Sequence, residues 1–105
     1  MVENNIKLSG TIYRIFVKKI NPSGIPYYQF MLDHHSLQQE SGFSRQARCC
    51  LSVMVSGNLT FDVDQHTILG KEVIVQGFIN CHQRYDGLSR IVLHAKKIDL
   101  ITSGE

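Results

Sequence analysis

The stretch EVIVQGFINCHQRYDGLSRIVLHAKKIDLI, residues 72 to 101, consists of two β-prone runs joined by a turn. Asp86-Gly87 is a strong hairpin signal, because a type I′ turn needs positive φ at its central residues and glycine adopts such angles without strain. Gly77 predicts a bend in the first arm, as at the corner of a barrel. We therefore predict a long projecting hairpin. The residues at or near its tip are Arg84, Tyr85 and Arg90.

Two earlier runs also have the alternation of strands. Residues 6–17 alternate unevenly around Gly10, which predicts a strand with a bend or bulge. NPSG (21–24) predicts a type I turn, because proline and glycine take their preferred second and fourth positions. A second strand begins at Pro26. One of its faces carries Tyr28, Phe30 and Leu32, and the other carries Gln29, Asp33 and His35.

A third strand is predicted in RQARCCLSVMVSG (45–57), after a polar loop QQESGFS (38–44) in which Phe43 is exposed. One face of this strand carries Ala47, Cys49, Leu51, Val53 and Val55. Residues 58–69 show no convincing helical period, so we expect a connector with at most one turn of helix.

Five strands with short turns need an arrangement that hides their edges. A five-stranded Greek-key barrel of the oligonucleotide-binding (OB) type does so at a length of 105 residues. An SH3-like barrel or a small sandwich fits the same alternation. The periodicity favours the OB barrel, all-β with little or no helix, as a single domain over residues 1–105.

Composition narrows the class of protein further. No stretch approaches the ~20 apolar residues that cross a bilayer, and MVENNIKLSG (1–10) lacks the pattern of a secretion signal. We therefore expect a cytoplasmic protein without a membrane partner. The cysteines are odd in number and not spaced as zinc ligands, which predicts buried free thiols. They are Cys49, Cys50 and Cys81.

The sequence offers no convincing catalytic or cofactor motif. It contains no GxxxxGK[ST], GxGxxG or GxSxG pattern. His34 and His35 are neighbours on a strand and point to opposite faces, so they do not form a joint metal or acid–base site. We expect no enzyme activity, no cofactor and no metal. Three further histidines are separated along the chain and are expected to be packed or surface residues: His66, His82 and His94.

Charge distribution is more informative than the net charge of +2. No carboxylate occurs from residue 42 through residue 61, so a nearly neutral protein can have one basic face. Cations interleaved with aromatic rings are what unpaired bases and phosphates require. The residues that supply this mixture are Lys18, Lys19, Phe43, Arg45, Arg48, Arg84 and Tyr85. The alternatives are dispersed solvated bases with Phe43 in the core, a hairpin tip that is only a solvated turn, and a purely structural interaction module.

Longer stretches resemble a known family. They are LSGTI (8–12), NPSGIPYYQFMLDHHSLQQESGF (21–43), VSG (55–57), VIVQGFINCH (73–82) and GLSRIVLHAKKIDLI (87–101). Together they resemble the primosomal replication protein N family, small bacterial relatives of single-stranded-DNA-binding protein. The resemblance implies an OB barrel, a homodimer, single-stranded-DNA binding, and action with the primosomal helicase and other primosome proteins in replication restart. A stand-alone single-stranded DNA or RNA binder without a helicase partner is the alternative.

The same resemblance implies site residues. The family's first-turn lysine falls on Lys19, the aromatic-basic pair of its second loop on Phe43 and Arg45, and a basic hairpin position on Arg90. His35 and Arg48 stand where better-known members have arginine and tryptophan, and Gln83 and Tyr85 stand where they have lysines. Arg84, between those two, restores some of the charge. We also expect partners to bind the barrel surface, because the chain ends at ITSGE soon after its last predicted strand.

Overall fold

The structure is a computed structural model that describes residues 2–62, 68–83, 87 and 89–101. In this part of the chain, six strands and one short helix follow each other in sequence. Their bounds are β1 Ile6–Ile15, β2 Lys19–Ile20, β3 Pro26–Glu40, β4 Phe43–Ser56, α1 Leu59–Asp62, β5 Glu72–Gln83 and β6 Ser89–Leu100. No helix among the described residues has the length and apolar composition needed to span a membrane.

The five long strands close into a barrel. They are paired in the order β1-β5-β6-β4-β3, and β1 also pairs with β3, which joins the two ends of the sheet. The β4–β6 pair is parallel and the other pairs are antiparallel. The two-residue β2 adds to β3. This closed sheet confirms the predicted five-stranded OB barrel and excludes a two-sheet sandwich.

Inward-facing side chains fill the barrel. The buried apolar residues that form this core, within the described part of the chain, are Ile12, Tyr28, Phe30, Leu32, Val53, Val55, Ile68, Val73, Val75 and Leu93. Val92 is also buried, but it pairs with Ser52 and lies on the other face of the sheet from Leu93. The predicted inner faces of β3 and of the second half of β4 are thus confirmed. Burial of a side chain such as Phe30 contributes about 1.5–3 kcal/mol, so alternation along these strands fixes which face points outward.

Gly77 bends β5 as predicted. The β5–β6 register shifts between Gln76 and Gly77, and a Cβ atom at Gly77 would lie 1.9 Å from the carbonyl oxygen of His94. No side chain fits in that space, so glycine allows the two strands to approach where the barrel turns. In β1, the register shifts between Ile12 and Arg14, slightly beyond the bend predicted around Gly10.

The predicted polar loop at 38–44 is wrong. β3 continues to Glu40 and β4 begins at Phe43, and these two residues face each other in the register. Only Ser41 and Gly42 connect them, with φ of 51° and 82°. Positive φ at both central residues is typical of a type I′ turn. The segment is polar because this hairpin extends beyond the barrel and exposes both of its faces.

The hairpin of β5 and β6 forms as predicted, but the flanking register excludes a two-residue turn. Gln83 pairs with Ser89 and His82 pairs with Arg90, whereas a two-residue turn at Asp86-Gly87 would pair Gln83 with Arg90. Gly87 has a φ of 81°. Residues 84–86, including the predicted tip residues Arg84 and Tyr85, lie outside the described residues.

Two other predictions concern the connector and the cysteines. A turn of helix is present at Leu59–Asp62, and Ile68 is also helical. Residues 63–67 lie outside the described part of the chain, so the expected limit of one turn stays a prediction. All three cysteines are exposed, so the prediction of buried thiols is wrong. Cys49 lies on the same face of β4 as the core residues, but it is exposed because β4 leaves the barrel at this point.

Candidate nucleic-acid interface

The outward-facing side chains of β3 and β4 form a continuous surface, here called the outer sheet surface. Its members alternate with the buried core residues and face each other in register. They are Tyr27, Gln29, Met31, Asp33 and His35 on β3, and Ser56, Met54, Ser52, Cys50 and Arg48 on β4. Most of the β3 members are half-buried, so their side chains make a firm floor instead of a fringe of mobile groups.

Three cations lie along this surface. Lys19 pairs with Tyr27 at one end, Arg48 pairs with His35 at the other, and Arg14 pairs with Met31 between them. Residues directly opposite each other in a sheet point to the same side, so all three side chains rise from the same face. Tyr27 and His35 are eight residues apart, a span of roughly 26 Å. This length suits an extended ligand with repeated negative charges.

The carboxylate of Asp33 is the centre of a polar cluster on this surface. Its Oδ2 lies 3.1 Å from Nε2 of His35, and its Oδ1 lies 3.7 Å from Nε of Arg48. The thiol of Cys50 also donates to Oδ1, at 3.7 Å. Asp33 is three-quarters covered, whereas the His35 and Arg48 side chains are 58% and 67% exposed. The two basic groups are therefore held in place by Asp33 while they remain accessible to a ligand.

The cluster affects the ionisation of its members. Burial opposes ionisation of Asp33, but the hydrogen bond from His35 and the charges of His35 and Arg48 outweigh it and lower the pKa of the carboxyl. On the neighbouring β1, a hydrogen bond with Cys50 is the largest cause that raises the pKa of the Tyr13 phenol. At neutral pH the cluster thus has a charged carboxylate and a neutral, half-exposed phenol.

A cleft with a volume of about 410 Å³ lies beside the Asp33 cluster, where the β3–β4 hairpin leaves the barrel. The residues that line it are His35, Ser36, Leu37, Gln46, Ala47 and Arg48. Its two basic groups, His35 and Arg48, belong to the outer sheet surface, and Leu37 is a large apolar side chain that is 67% exposed. Such a mixture is suited to a group that has both a flat apolar face and an adjacent negative charge.

The structure divides the predicted site between two faces of the β3–β4 hairpin. His35 and Arg48 lie on the outer sheet surface, but Phe43 and Arg45 have the opposite parity along β4 and lie on the other face of the projecting ribbon. The ring of Phe43 is 72% exposed, which excludes a place in the core. Arg45 forms an ion pair with Glu40 near the tip.

The remaining predicted residues are more dispersed. Lys19 is exposed on β2, and Lys18 is half-buried just before that strand. Arg90 is exposed on β6, opposite His82. Arg84 and Tyr85 fall outside the described residues, so their predicted role stays a prediction.

Sequence reasoning missed several outward-facing groups. The alternation that assigns Gln29 and His35 to the outer face of β3 also assigns Tyr27 to it, beside Lys19. Arg14 was missed because the bulge after Ile12 changes its parity. A strand read without this bulge gives no signal for Arg14.

His82 and His94 are separated along the chain but contact each other across the β5–β6 hairpin. Nε2 of His82 lies 3.1 Å from Nε2 of His94, and the two rings are stacked with centroids 5.3 Å apart. His94 also stacks on Phe78 at a centroid distance of 5.0 Å and an interplanar angle of 5°. Burial, followed by the influence of His82, lowers the pKa of His94. The hairpin register brings these residues together, and their spacing in sequence gives no sign of it.

A closed five-stranded barrel with cations and rings along one outer face is the architecture of OB-fold proteins that bind single strands. A family model described as another single-strand binding protein family matches residues 4–97, and the chain belongs to this family. Its relatives include the replication restart protein PriB of Enterobacter sp. (strain 638), which is 49% identical over 102 residues, and that of Citrobacter koseri, which is 48% identical. Each alignment covers 97% of this chain and 98% of the relative. PriB is another name for primosomal replication protein N, so the resemblance found in the sequence is confirmed.

Solved structures share the fold. PriB from Ralstonia solanacearum superposes with a TM-score of 0.79 at 19% identity, over 94% of this chain and 98% of that chain. The single-stranded DNA binding protein from Thermus aquaticus gives a TM-score of 0.76 at 21% identity, over 95% of this chain and 50% of that chain. At these identities the likeness shows the OB fold, and it supports the OB assignment over an SH3-like barrel.

Proposed function

We propose that this protein binds single-stranded DNA along the outer sheet surface and acts as an accessory protein in replication restart. The observation that carries the proposal is the row of three cations, Lys19, Arg14 and Arg48, over the half-buried floor of β3 and β4. Membership of the single-strand binding family and the name of its relatives support the same function. Binding, and no chemical step, is the activity that this surface supplies.

Phosphates and bases have different partners on this surface. The cations neutralise phosphates, and each phosphate contact releases counterions from the strand. Tyr27, half-buried beside Lys19, offers a ring to an unpaired base. Base stacking on an aromatic ring is worth about 1–3 kcal/mol. A duplex hides its base faces, so the surface favours a single strand.

The two faces of the projecting hairpin extend this path. A two-stranded β-ribbon twists strongly along its length. A flexible DNA strand that leaves the outer sheet surface at His35 and Arg48 follows this twist toward the tip of the hairpin. There it meets Phe43 and Arg45 on the other face. In this arrangement, the predicted residues lie on two faces of the hairpin because the DNA strand wraps around it.

The assembly and the partners belong to the same proposal. Within the described residues, β1 pairs with β5 from Ile6 onward but with β3 only from Thr11, so the first half of β1 has an unpaired edge. Open edges promote association, and we assign this one to a homodimer of the single OB domain. The primosomal helicase is the proposed partner, by analogy with the relatives named for replication restart. Sedimentation equilibrium that shows a monomer at micromolar concentration would contradict the dimer.

The function is tested by fluorescence anisotropy with labelled single-stranded DNA, RNA and duplex DNA over a range of salt. With about three to five phosphate contacts per protomer, the slope of log affinity against log salt is expected to be about −2 to −3.5 for single-stranded DNA, from ~0.7 per contact. Lys19→Ala should flatten the slope. Lys97→Ala is the matched control, because Lys97 is exposed on β6 and pairs with Asp99 at 3.7 Å. Absence of salt-dependent binding to single-stranded DNA would refute the proposal. Co-purification with the helicase would distinguish a replication-restart protein from a stand-alone single-strand binder.

A further inference from the structure

An aromatic strip runs along the outward face of β5 and β6. Phe78, His94 and His82 form a continuous stack, with centroid distances of 5.0 Å and 5.3 Å. Phe78 faces His94 across the two strands, and His82 faces Arg90 four residues further along β5. His94 lies between the other two rings, at interplanar angles of 5° to Phe78 and 25° to His82, so the faces left for a further flat group belong to the end rings Phe78 and His82.

Cations flank both ends of the strip. Nζ of Lys96 lies 5.6 Å from the centroid of Phe78, within the range of a cation–π contact. At the other end, Arg90 is exposed opposite His82. The two segments that build the strip, 78–82 and 90–96, contain no carboxylate. The strip therefore combines stacking groups with positive charge, as the outer sheet surface does.

The strip adjoins the outer sheet surface. β4 and β6 pair in parallel, and Met54 of the outer sheet surface lies in register with His94. Met54 is in turn opposite Gln29 on β3. A row of outward-facing side chains thus crosses the sheet from β3 to the strip without a change of face. A polymer lying on β3 and β4 reaches the strip by crossing this single row.

We infer that the strip is a second base-stacking site, which holds bases of the same single strand beyond those on the outer sheet surface. The inference rests on the proposed function, since the ligand is the same single-stranded DNA. Bases stack on the end rings of the strip, Phe78 and His82, while Lys96 and Arg90 bind the adjoining phosphates. A strip made for a protein partner is a different possibility, which the test below separates from this one.

The test uses the absence of tryptophan from the chain. Phe78→Trp introduces one fluorophore into the strip, and its emission should be quenched when a thymidine oligonucleotide is added, because base stacking quenches indole fluorescence. Leu100→Trp is the control. Leu100 is 55% exposed and lies at the end of β6 remote from Arg90, so the emission of this control variant should not change.

A second variant measures the contribution of the strip to affinity. Phe78→Leu keeps an apolar side chain but removes the flat face, and it should weaken binding by about fivefold or more with little change in salt slope, as expected for a lost stacking contact. Its melting temperature shows whether the barrel is intact.

The outcomes distinguish the inference from the proposed function. If the parent binds the oligonucleotide while the emission of Phe78→Trp is not quenched and Phe78→Leu binds like the parent, the strip is not a DNA site and the proposed function stands. Loss of helicase association in Phe78→Leu with unchanged DNA binding would also overturn the inference, in favour of a protein contact. If the parent does not bind single-stranded DNA even at low salt, the proposed function fails as well.

Discussion

Replacement of Asp33 by asparagine should tighten the binding of single-stranded DNA. The carboxylate lies 3.7 Å from Nε of Arg48 and 3.1 Å from Nε2 of His35, so it competes with phosphates for both groups. A phosphate oxygen that binds Arg48 at about 3 Å would come within about 7 Å of this negative charge. Two unit charges at that distance in water repel each other by about RT, a factor of about three in a binding constant. Where DNA excludes water, the factor rises toward ten.

The change should also appear in the salt dependence. Arg48 without its carboxylate partner can take one further phosphate, which would steepen the slope of log affinity against log salt by about 0.7. The assay is anisotropy of a labelled thymidine oligonucleotide at several salt concentrations. Asp99→Asn is the matched control, because Asp99 forms an exposed ion pair of the same 3.7 Å length with Lys97. Equal affinities of Asp33→Asn and the parent, or equal gains in Asp33→Asn and Asp99→Asn, would show that the Asp33 carboxylate does not compete with phosphate.

Stability supplies an independent check on the same carboxylate. The folded state lowers the pKa of Asp33 below its usual value of 3.8, so the charged form stabilises the fold above that pH. This stabilisation is lost as pH falls through the folded pKa. The parent should therefore be more stable than Asp33→Asn at pH 7, and the difference should shrink as pH falls below 3.8. If urea unfolding gives the same difference in the free energy of unfolding between the parent and Asp33→Asn at pH 7 and below pH 3.8, the ion-pair cluster is contradicted.

Three further predictions concern the site, the strip and the barrel. Phe43→Ala should weaken DNA binding by about 1–3 kcal/mol without changing the salt slope, since stacking releases no counterions, whereas Lys19→Ala should flatten the slope; equal slope changes in anisotropy titrations would show this division to be wrong. Burial and the neighbouring His82 lower the pKa of His94, so the unfolded state binds a proton more readily than the folded state as pH falls through 6.5. The parent should therefore lose stability between pH 7.5 and pH 5, and His94→Gln should lose less. Equal losses of the free energy of unfolding in the two proteins, measured with urea at these two pH values, would contradict this. Gly77→Ala should destabilise the barrel by about 3 kcal/mol or more, because its Cβ atom meets a backbone oxygen; a thermal melt like that of the parent would refute the close approach.

The barrel was predictable from sequence because its core follows a simple period. Alternation along β3 places Tyr28, Phe30 and Leu32 on one face, and all three are buried. The bend at Gly77 was predictable because glycine in a strand marks close backbone approach. These features depend on neighbours along the chain and on burial, which a sequence displays directly.

The site was predictable only in part because it depends on register. The segment 38–44, which includes Phe43, is predicted to be a polar loop, but Ser41 and Gly42 alone make the turn. The prediction groups Phe43 and Arg45 with Arg48 on one basic face, whereas alternation along the continuous β4 places them on opposite faces. A shift of one residue exchanges the two faces of a strand, so small errors in turn length redistribute an entire site.

The position of the bulge in β1 and the cross-strand contacts also depend on register, which the sequence does not display. The bulge after Ile12 brings Arg14 to the outer face beside Met31. The stack of His82 on His94 requires the register of two strands, and the turn predicted at Asp86-Gly87 would have placed His82 opposite a different residue. Long-range pairing decides such contacts, and local patterns do not report it.

Photocrosslinking can show whether single-stranded DNA lies on the outer sheet surface. A thymidine oligonucleotide that carries 5-iododeoxyuridine is irradiated with the parent protein, and the crosslinked peptides are identified by mass spectrometry. We expect crosslinks in the peptides that contain Tyr27 and His35, and we expect competitor single-stranded DNA to abolish them. Crosslinks confined to the part of the barrel around Lys7 and Lys97, which face outward on β1 and β6 on either side of Gln76, would contradict this expectation.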